Sequence, residues 1–181
     1  MAKYDANLVV IGAGSGGLVS ALIAAAVKSK VILIERHKMG GDCLNTGCVP
    51  SKALLRSAKV ASYMSRAEEF GLESVDVKPV FSRVLKRVHK VIDAIEPHDS
   101  VERFTGLGVE CVQGDANIID PHTVRVNGQD IRTKSIIIAA GARPFVPPIE
   151  GIDDVGYLTS DTVWELEEQP KRLVVLGGGP I

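Results

Sequence analysis

The sequence predicts an α/β fold, in which a parallel sheet carries helices on one face and an antiparallel β-meander on the other. Residues 7–11 and 30–34 are short apolar runs, and residues 18–28 between them have the composition of a buried helix. A strand, a helix and a strand in this order form a right-handed unit with parallel strands. Further along, Asn127-Gly128 is a strong hairpin signal, which predicts antiparallel strands around it.

The rest of the chain predicts further helices and strands. Apolar residues recur with helical spacing over residues 54–64 and 80–95, Pro97 is expected to end the second helix, and residues 99–104 add more turns. The predicted short strands are residues 109–112, 117–119, 123–126, 130–133, 135–139 and 172–176. The three between residues 117 and 133 form the meander. The strand at 135–139 is expected to be separate and buried, and the last strand leads into a glycine turn at 177–181.

Composition limits the classes of partner and the compartment. Aromatic residues make up 4% of the chain and the net charge is −1, so neither an aromatic platform nor a basic stripe for nucleic acid is expected. Residues 18–27 are apolar but too few to span a bilayer, and no secretory signal precedes them. We therefore expect a cytoplasmic protein that binds neither nucleic acid nor membrane.

A glycine-rich turn follows the first predicted strand. Gly12, Gly14 and Gly17 match G-x-G-x-x-G, in which the glycines allow a tight turn, close approach of a pyrophosphate and close helix–strand packing. The N-terminus of the next helix offers free N–H groups to phosphates. Glu35 stands at the end of the second strand, where an acid accepts hydrogen bonds from a ribose. FAD and NAD fit this pattern, and NADP fits it poorly.

The segment GGDCLNTGCVPSK contains the cysteine pair Cys43 and Cys48. In an ideal α-helix this spacing separates the Cα atoms by about 8.7 Å, whereas a disulfide allows about 7 Å. A disulfide here therefore requires distorted backbone, which Gly47 and Pro50 permit, and a strained, accessible bridge is easily reduced. A zinc site and two unrelated buried thiols are the alternatives.

The other reactive side chains are expected to be structural. Cys111 lies in an apolar strand and is expected to be an inert core residue. The histidines are scattered and are expected at the surface. They are His37, His89, His98 and His122.

Four motifs make the sequence similar to the class I pyridine nucleotide–disulfide oxidoreductases. They are GAGSGG followed by Glu35, GGDCLNTGCVPSK, SIIIAAGARP and LVVLGGGP, and the resemblance covers essentially the whole chain. That family includes dihydrolipoamide dehydrogenase, mercuric reductase and glutathione reductase. The resemblance implies a Rossmann-like, three-layer fold that binds FAD and NAD(P).

The resemblance also implies that the first glycine turn binds FAD. The turn would hold the pyrophosphate, Glu35 the adenosine ribose, and the backbone of Asp115 and Ala116 the adenine, while the turn at residues 139–141 would lie near the flavin. The implied cofactor-binding residues are Gly12, Gly14, Ser15, Gly16, Gly17, Glu35, Arg36, Gly41, Asp42, Cys48, Lys52, Asp115, Ala116, Ala139, Ala140 and Gly141.

Three residues would carry the implied redox chemistry. Cys48 resembles the charge-transfer thiol beside the flavin, Cys43 the interchange thiol that meets substrate, and Lys52 the lysine near the flavin. Electrons would pass from NADH or NADPH through FAD to a Cys43–Cys48 disulfide, and then to a small-molecule disulfide or mercuric ion. A dehydrogenase would run this sequence backwards from a dithiol. The residues at positions 48–52, Cys-Val-Pro-Ser-Lys, resemble the dihydrolipoamide dehydrogenase and mercuric reductase branches of the family more than the glutathione reductase branch.

The sequence departs from the family pattern at two positions. Asp42 stands where many members have threonine before the first cysteine, and a carboxylate lacks the hydroxyl proton that threonine can donate to FAD. Asp42 is instead a candidate helix cap. Ala140 replaces the usual threonine of the turn near the flavin, which removes a second hydroxyl.

The resemblance assigns residues 1–148 to an incomplete FAD-binding domain. Residues 149–181 would form a linker and the first strand of a truncated NAD(P)-binding domain. The full-length protein would be a homodimer with a histidine–glutamate pair in a further domain, so this chain alone is expected to be inactive. A flavin-binding, redox-sensing module without turnover is the alternative function.

Overall fold

The computed structural model describes residues 4–179, and its chain divides into two units. The first unit comprises Met1–Asn45 and Ala94–Arg143, and the second comprises Thr46–Asp93 and Pro144–Ile181. Each unit is built from two separate stretches of chain, so each depends on contacts between residues that are distant in sequence.

The first unit contains a six-stranded sheet with the strand order β3-β2-β1-β6-β5-β4. The strands are β1 (Ala6–Ile11), β2 (Val31–Glu35), β3 (Val109–Gln113), β4 (Asn117–Asp120), β5 (Thr123–Val126) and β6 (Gln129–Ile138). β1 lies in the centre of the parallel part, and its Val9 pairs with Ile32 of β2 on one side and with Ile136 of β6 on the other. β4, β5 and the first half of β6 pair in antiparallel fashion. The predicted α/β fold and its meander are confirmed.

The core of the first unit has two layers, one on each face of the parallel strands. Helices α1 (Ser15–Ala26) and α5 (Val101–Gly106) pack on one face, where Val31 and Leu33 of β2 point. The meander packs on the other face, where Ile32 and Ile34 of the same strand point. Residues 31–34 of β2 are all buried, on one face or the other, and they form an unbroken apolar run, as buried parallel strands do.

Only one face of α1 is buried, so the expected helix that is buried all round is wrong. Leu18, Ala21 and Ala25 pack in the core, whereas Val19 and Ile23 are exposed. A helix in the outer layer of an α/β sheet meets the sheet along one stripe, and no other element of this unit covers the opposite side among the described residues.

β6 is one strand of ten residues, not the two strands that the sequence predicts. Its first half pairs with β5, and its second half pairs with β1 from Thr133 onward. Lys134 and Ser135 interrupt the apolar pattern of the sequence, but their side chains are exposed. The strand therefore continues through them without a break. Thr133 is fully buried at the crossover, and its hydroxyl donates to the carbonyl of Ser135 at 2.9 Å.

The strand expected at residues 172–176 is not a strand in the structure. Its apolar side chains are exposed, Val174 by 83%. A buried parallel strand requires hydrogen-bonded neighbours, and no strand among residues 4–179 pairs with this stretch. The glycine turn expected at 177–181 extends to Pro180 and Ile181, which lie outside the described residues.

The second unit is built on two helices, α3 (Cys48–Ser65) and α4 (Phe81–Ile95). Ala53, Leu85 and Val88 form its core, against which Trp164 packs. The predicted stripe at residues 54–64 lies within α3, but the helix begins earlier, at Cys48. Pro50 is tolerated there because the N–H groups of a first helical turn have no acceptor within the helix.

The short helices complete the fold. α2 (Gly41–Asn45) lies between β2 and α3 in the chain, and α5 is a separate helix capped by the Ser100 side chain, which accepts from the Arg103 N–H at 3.2 Å. In the part of the chain that the structure describes, no helix is both long and apolar enough to cross a membrane.

We predict that Phe104→Ala destabilises the protein by about 3–5 kcal/mol, because it leaves a cavity between α5 and the sheet. Phe104 is 3% exposed in the helix-side core, whereas Phe145 is 84% exposed. Phe145→Ala is therefore the matched control and should change the free energy of unfolding, measured in urea, by no more than about 0.5 kcal/mol. Equal effects of the two variants would contradict this description of the core.

Candidate functional site

The predicted cofactor-binding residues of the first unit gather where the parallel strands end. Gly12 directly follows β1, Glu35 is the last residue of β2, and Ala139 directly follows β6. Asp115 comes just after β3. Ligands of open α/β sheets bind outside the carboxyl ends of the strands, and the structure brings these four residues to that edge.

The glycine turn after β1 is packed backbone against backbone. Gly12 has a φ of +100°, and a Cβ atom there would overlap the carbonyl oxygen of Ala139. A Cβ atom at Gly17 would overlap the carbonyl oxygen of Gly12. The N–H of Gly12 donates to the carbonyl of Ile34 at 2.8 Å, and the N–H of Ala139 donates to that of Ile11 at 2.7 Å. These contacts leave no room for side chains at Gly12 and Gly17.

The N-terminus of α1 is arranged to receive an anion. Gly14 is its N-cap residue, no side chain caps the helix, and its first turn contains no acidic residue. Ser15 and Gly16 are exposed, so the N–H groups of this turn and the positive end of the helix dipole are open to a ligand. Gly41 has a φ of +55°, and a Cβ atom there would lie 2.6 Å from the Cα of Gly14. Because Gly14 and Gly41 have no side chains, the space in front of the helix N-terminus stays open, as the binding of a pyrophosphate requires.

Glu35 is held by two backbone donors. Its Oε2 accepts from the N–H of Ala13 at 2.7 Å, and its Oε1 accepts from the N–H of His37 at 2.8 Å. An ionised carboxylate offers about two acceptor positions on each oxygen, so each oxygen keeps capacity for a ribose hydroxyl. Glu35 therefore orients the glycine turn and also presents the acceptors that an adenosine ribose requires.

Asp115 and Ala116 follow β3 beside the end of β2. The N–H of Gly114 donates to the carbonyl of Glu35 at 2.9 Å, which fixes the start of this loop. Arg36 and Asp115 approach to 4.0 Å, but both side chains are exposed, so the pair contributes little stability. The loop thus begins beside Glu35, whose backbone carbonyl it contacts.

The two departures from the family pattern lie near one another. A Cβ atom at Gly141 would lie 3.9 Å from Oδ2 of Asp42, and Ala140 is the neighbour of Gly141 in the chain. Asp42 is exposed in the first turn of α2. The side chain of Asn45 closes this helix by donating to the carbonyl oxygens of Met39 at 3.0 Å and Gly41 at 2.9 Å.

The two predicted redox cysteines belong to different helices. Cys43 is half-buried in α2, and Cys48 is exposed as the first residue of the 18-residue helix α3. The positive end of the α3 dipole therefore lies at Cys48. Lys52 is exposed one turn later, on the same side of the helix. A disulfide between Cys43 and Cys48 stays a prediction for the oxidised protein.

Cys111 packs against the helix-side core, as the sequence predicts. Burial raises the pKa of its thiol, although a hydrogen bond with Thr105 acts in the opposite direction. A raised pKa keeps the thiol protonated and unreactive at neutral pH. All four histidines are exposed, also as predicted. Within residues 4–179, no three His, Cys, Asp or Glu side chains gather as metal ligands would.

Sequence reasoning missed three contributors to these sites. Ala13 supplies the N–H that holds Glu35, and its carbonyl accepts from Gly40 at 2.9 Å. In the second unit, Trp164 donates to the carbonyl of Thr46 at 2.8 Å, and Arg87 donates to that of Ala53 at 2.8 Å. Each of these hydrogen bonds involves a backbone atom, and no pattern of residue types in the sequence predicts such bonds. Trp164 alone stood out in the sequence, as the single tryptophan of the chain.

Comparison with known proteins extends over nearly the whole chain. A family model described as pyridine nucleotide-disulphide oxidoreductase matches residues 6–181. The mercuric reductase of Staphylococcus aureus is 35% identical over 177 residues, which are 98% of this chain and 32% of that protein. The dihydrolipoyl dehydrogenase of Mycoplasma genitalium is 35% identical over 182 residues, which are 98% of this chain and 40% of that protein.

A solved structure is similar over most of the chain. It is the HOCl-induced flavoprotein disulfide reductase of Escherichia coli, with a TM-score of 0.72 and 29% sequence identity. The match covers 90% of this chain and 34% of that one. The chain therefore spans only 32–40% of the length of these relatives.

We predict that Gly17→Ala weakens FAD binding at least tenfold, a loss of about 1.4 kcal/mol or more, because the new methyl group displaces the carbonyl of Gly12 and opens the turn. Gly106→Ala is the matched control, since a Cβ atom there meets nothing within 4 Å. Flavin fluorescence titration measures both. Unchanged affinity in Gly17→Ala would show that the turn does not form the pyrophosphate site.

Proposed function

We propose, from the premise that this chain belongs to the pyridine nucleotide-disulphide oxidoreductase family, that it carries the FAD-binding part of a flavoprotein disulfide oxidoreductase. The family uses FAD and NAD(P)H. In this proposal residues 1–148 form the FAD-binding domain, and residues 149–181 lead into an NAD(P)-binding domain.

One observation carries the proposal: Glu35 and the start of α1 lie at the same sheet edge and are tied together through Ala13. The uncapped helix N-terminus suits the pyrophosphate of FAD, and the free acceptor positions of Glu35 suit the hydroxyls of its adenosine ribose. The backbone of Asp115 and Ala116 would contact the adenine. The turn at residues 139–141, with Gly41 and Asp42, would lie toward the flavin.

Cys43 and Cys48 supply the second part of the chemistry. Bound FAD supplies two-electron transfer between a nicotinamide and a disulfide. The Cys43–Cys48 disulfide takes up two electrons and two protons and becomes two thiols. In this proposal Cys48 would lie beside the flavin, and Cys43 would attack the substrate. Lys52 lies one helical turn from Cys48 on the same side of α3, where it would sit beside the flavin in this proposal.

The substrate is a small molecule that two thiols can reduce, either a disulfide or mercuric ion, or a dithiol in the reverse direction. The named relatives include a mercuric reductase and a dihydrolipoyl dehydrogenase at equal identity, so similarity does not favour one of them. Assays of the full-length protein with lipoamide, glutathione disulfide and mercuric ion, each with NADH and with NADPH, distinguish these substrates.

We predict that, in the full-length protein, Cys43→Ser and Cys48→Ser each lower NAD(P)H-dependent substrate reduction on the order of 10³-fold or more, as removal of a covalent nucleophile does. Both variants should keep their FAD, since the contacts proposed for the glycine turn and for Glu35 are unchanged in them. Cys111→Ser is the matched control and should keep wild-type turnover, because Cys111 is protonated and packed in the core. Wild-type turnover in Cys43→Ser would refute the proposed redox pair.

A further inference from the structure

The hairpin turn between β5 and β6 contacts the end of a strand outside the meander, within the first unit. Asn127 and Gly128 form a two-residue loop, and both have positive φ values, 51° and 77°, as a type I′ turn requires. The side-chain N–H of Asn127 donates to the carbonyl of Gln113 at 2.9 Å, across 14 positions of sequence. Gln113 is the last residue of β3, the edge strand of the sheet. This hydrogen bond therefore joins the meander to the end of β3.

The turn alone does not require asparagine at position 127. Glycine and aspartate also adopt the positive φ of this position and occur there in the same kind of turn. Of the three residue types, asparagine alone carries a side-chain N–H, because glycine has no side chain and an ionised aspartate only accepts hydrogen bonds. The hydrogen bond to Gln113 is therefore a property of Asn127 that the turn does not explain.

Asn127 also packs against the residue that follows β3. A Cβ atom at Gly114 would lie 2.5 Å from Oδ1 of Asn127, so the side-chain amide occupies the space beside Gly114. The N–H of Gly114 donates to the carbonyl of Glu35, the last residue of β2, at 2.9 Å. Residues 113 and 114 are thus held by β2 and by Asn127 together.

The other end of this loop is held by apolar packing. Ala116 is half-buried against the meander-side core, which includes Val124 and Val126. Asp115 lies between the two held ends, and its ion pair with Arg36 is too exposed to fix it. The position of the backbone at residue 115 therefore depends on the contacts on either side of it, and Asn127 makes the polar contact at the start of the loop.

We propose that Asn127 is a positioning residue for the adenine end of the FAD site. It acts through Gln113 and Gly114, which begin the loop that contacts the adenine in the proposed function, and the inference rests on that function. Asn127 itself touches no part of the cofactor. A loop that is already ordered binds its ligand without the entropy cost of ordering it, so loss of the Asn127 contacts weakens binding of the adenine part.

The test compares two variants of the full-length protein with a matched control. Asn127→Gly keeps the turn and removes the side chain. Asn127→Asp keeps the shape of the side chain but replaces the donor with a carboxylate oxygen, which the Gln113 carbonyl repels. Gln129→Glu is the control, because it places a negative charge in the same hairpin at an exposed residue whose side chain makes no hydrogen bond within residues 4–179.

We expect each Asn127 variant to raise the dissociation constant of FAD about three- to tenfold, the range expected for one hydrogen bond, in flavin fluorescence titrations. FMN, which has no adenine, should bind both variants within about twofold of wild type, and Gln129→Glu should bind both flavins within the same limit. A smaller folded fraction would weaken both flavins alike, so the ratio of the two constants isolates the positioning role. Unchanged FAD affinity in either Asn127 variant, or an equal loss for FAD and FMN, overturns the inference.

A second measurement needs no flavin. Hydrogen exchange of the flavin-free protein, read by mass spectrometry over residues 113–117, should be faster in both Asn127 variants than in wild type and in Gln129→Glu, because the N–H of Gly114 loses protection when the loop opens. Exchange that is no faster in the Asn127 variants overturns the inference alone. Wild-type protein that binds FAD no more tightly than FMN would instead overturn the proposed function.

Discussion

The close approach of backbone to backbone at Gly12 is the constraint on which the candidate site depends. The residue lies against the carbonyl of Ala139 at the end of β6, and its own carbonyl lies against Gly17 in α1. This packing lets α1 begin directly above the sheet edge, with its first N–H groups open. It also places Ala13 where its N–H meets Glu35 and its carbonyl meets the N–H of Gly40. The turn at Gly12, which has no space for side chains, thus contacts three other segments of the chain, at Ala139, at Glu35 and at Gly40.

Glu35 holds this turn through hydrogen bonds to backbone N–H groups. Its carboxylate satisfies two backbone donors, which would otherwise lack partners at the end of the sheet. Hydrogen bonds to a charged acceptor contribute about 1.5–3 kcal/mol each, so Glu35 stabilises the turn, and in the proposed function the same carboxylate also recognises the ribose.

The sequence predicted the features that depend on local pattern. The strands β1 and β2, the glycine turn between β1 and α1, and the hairpin at Asn127-Gly128 all agree with the structure, because apolar runs and glycine positions define them directly. The second half of β6 was predicted as a separate strand, since Lys134-Ser135 breaks the apolar pattern but not the hydrogen bonding.

The features that the sequence did not predict depend on what surrounds a segment. Residues 172–176 have the composition of a buried strand, yet they have no paired neighbour among the described residues. The exposed face of α1 is apolar, so composition alone could not show which side meets the sheet. The hydrogen bond from Trp164 to Thr46 joins a side chain to a carbonyl that is distant in sequence, and no sequence pattern around either residue predicts it.

The central claim is that the first unit binds the adenosine diphosphate part of FAD through the α1 N-terminus and Glu35. Titration of the protein with FAD and with FMN tests it most directly, because FMN carries the same flavin but lacks the adenosine and the pyrophosphate. We predict that FAD binds at least about 100-fold more tightly than FMN, a difference of about 2.7 kcal/mol or more. Equal dissociation constants for the two flavins would contradict this assignment of the site.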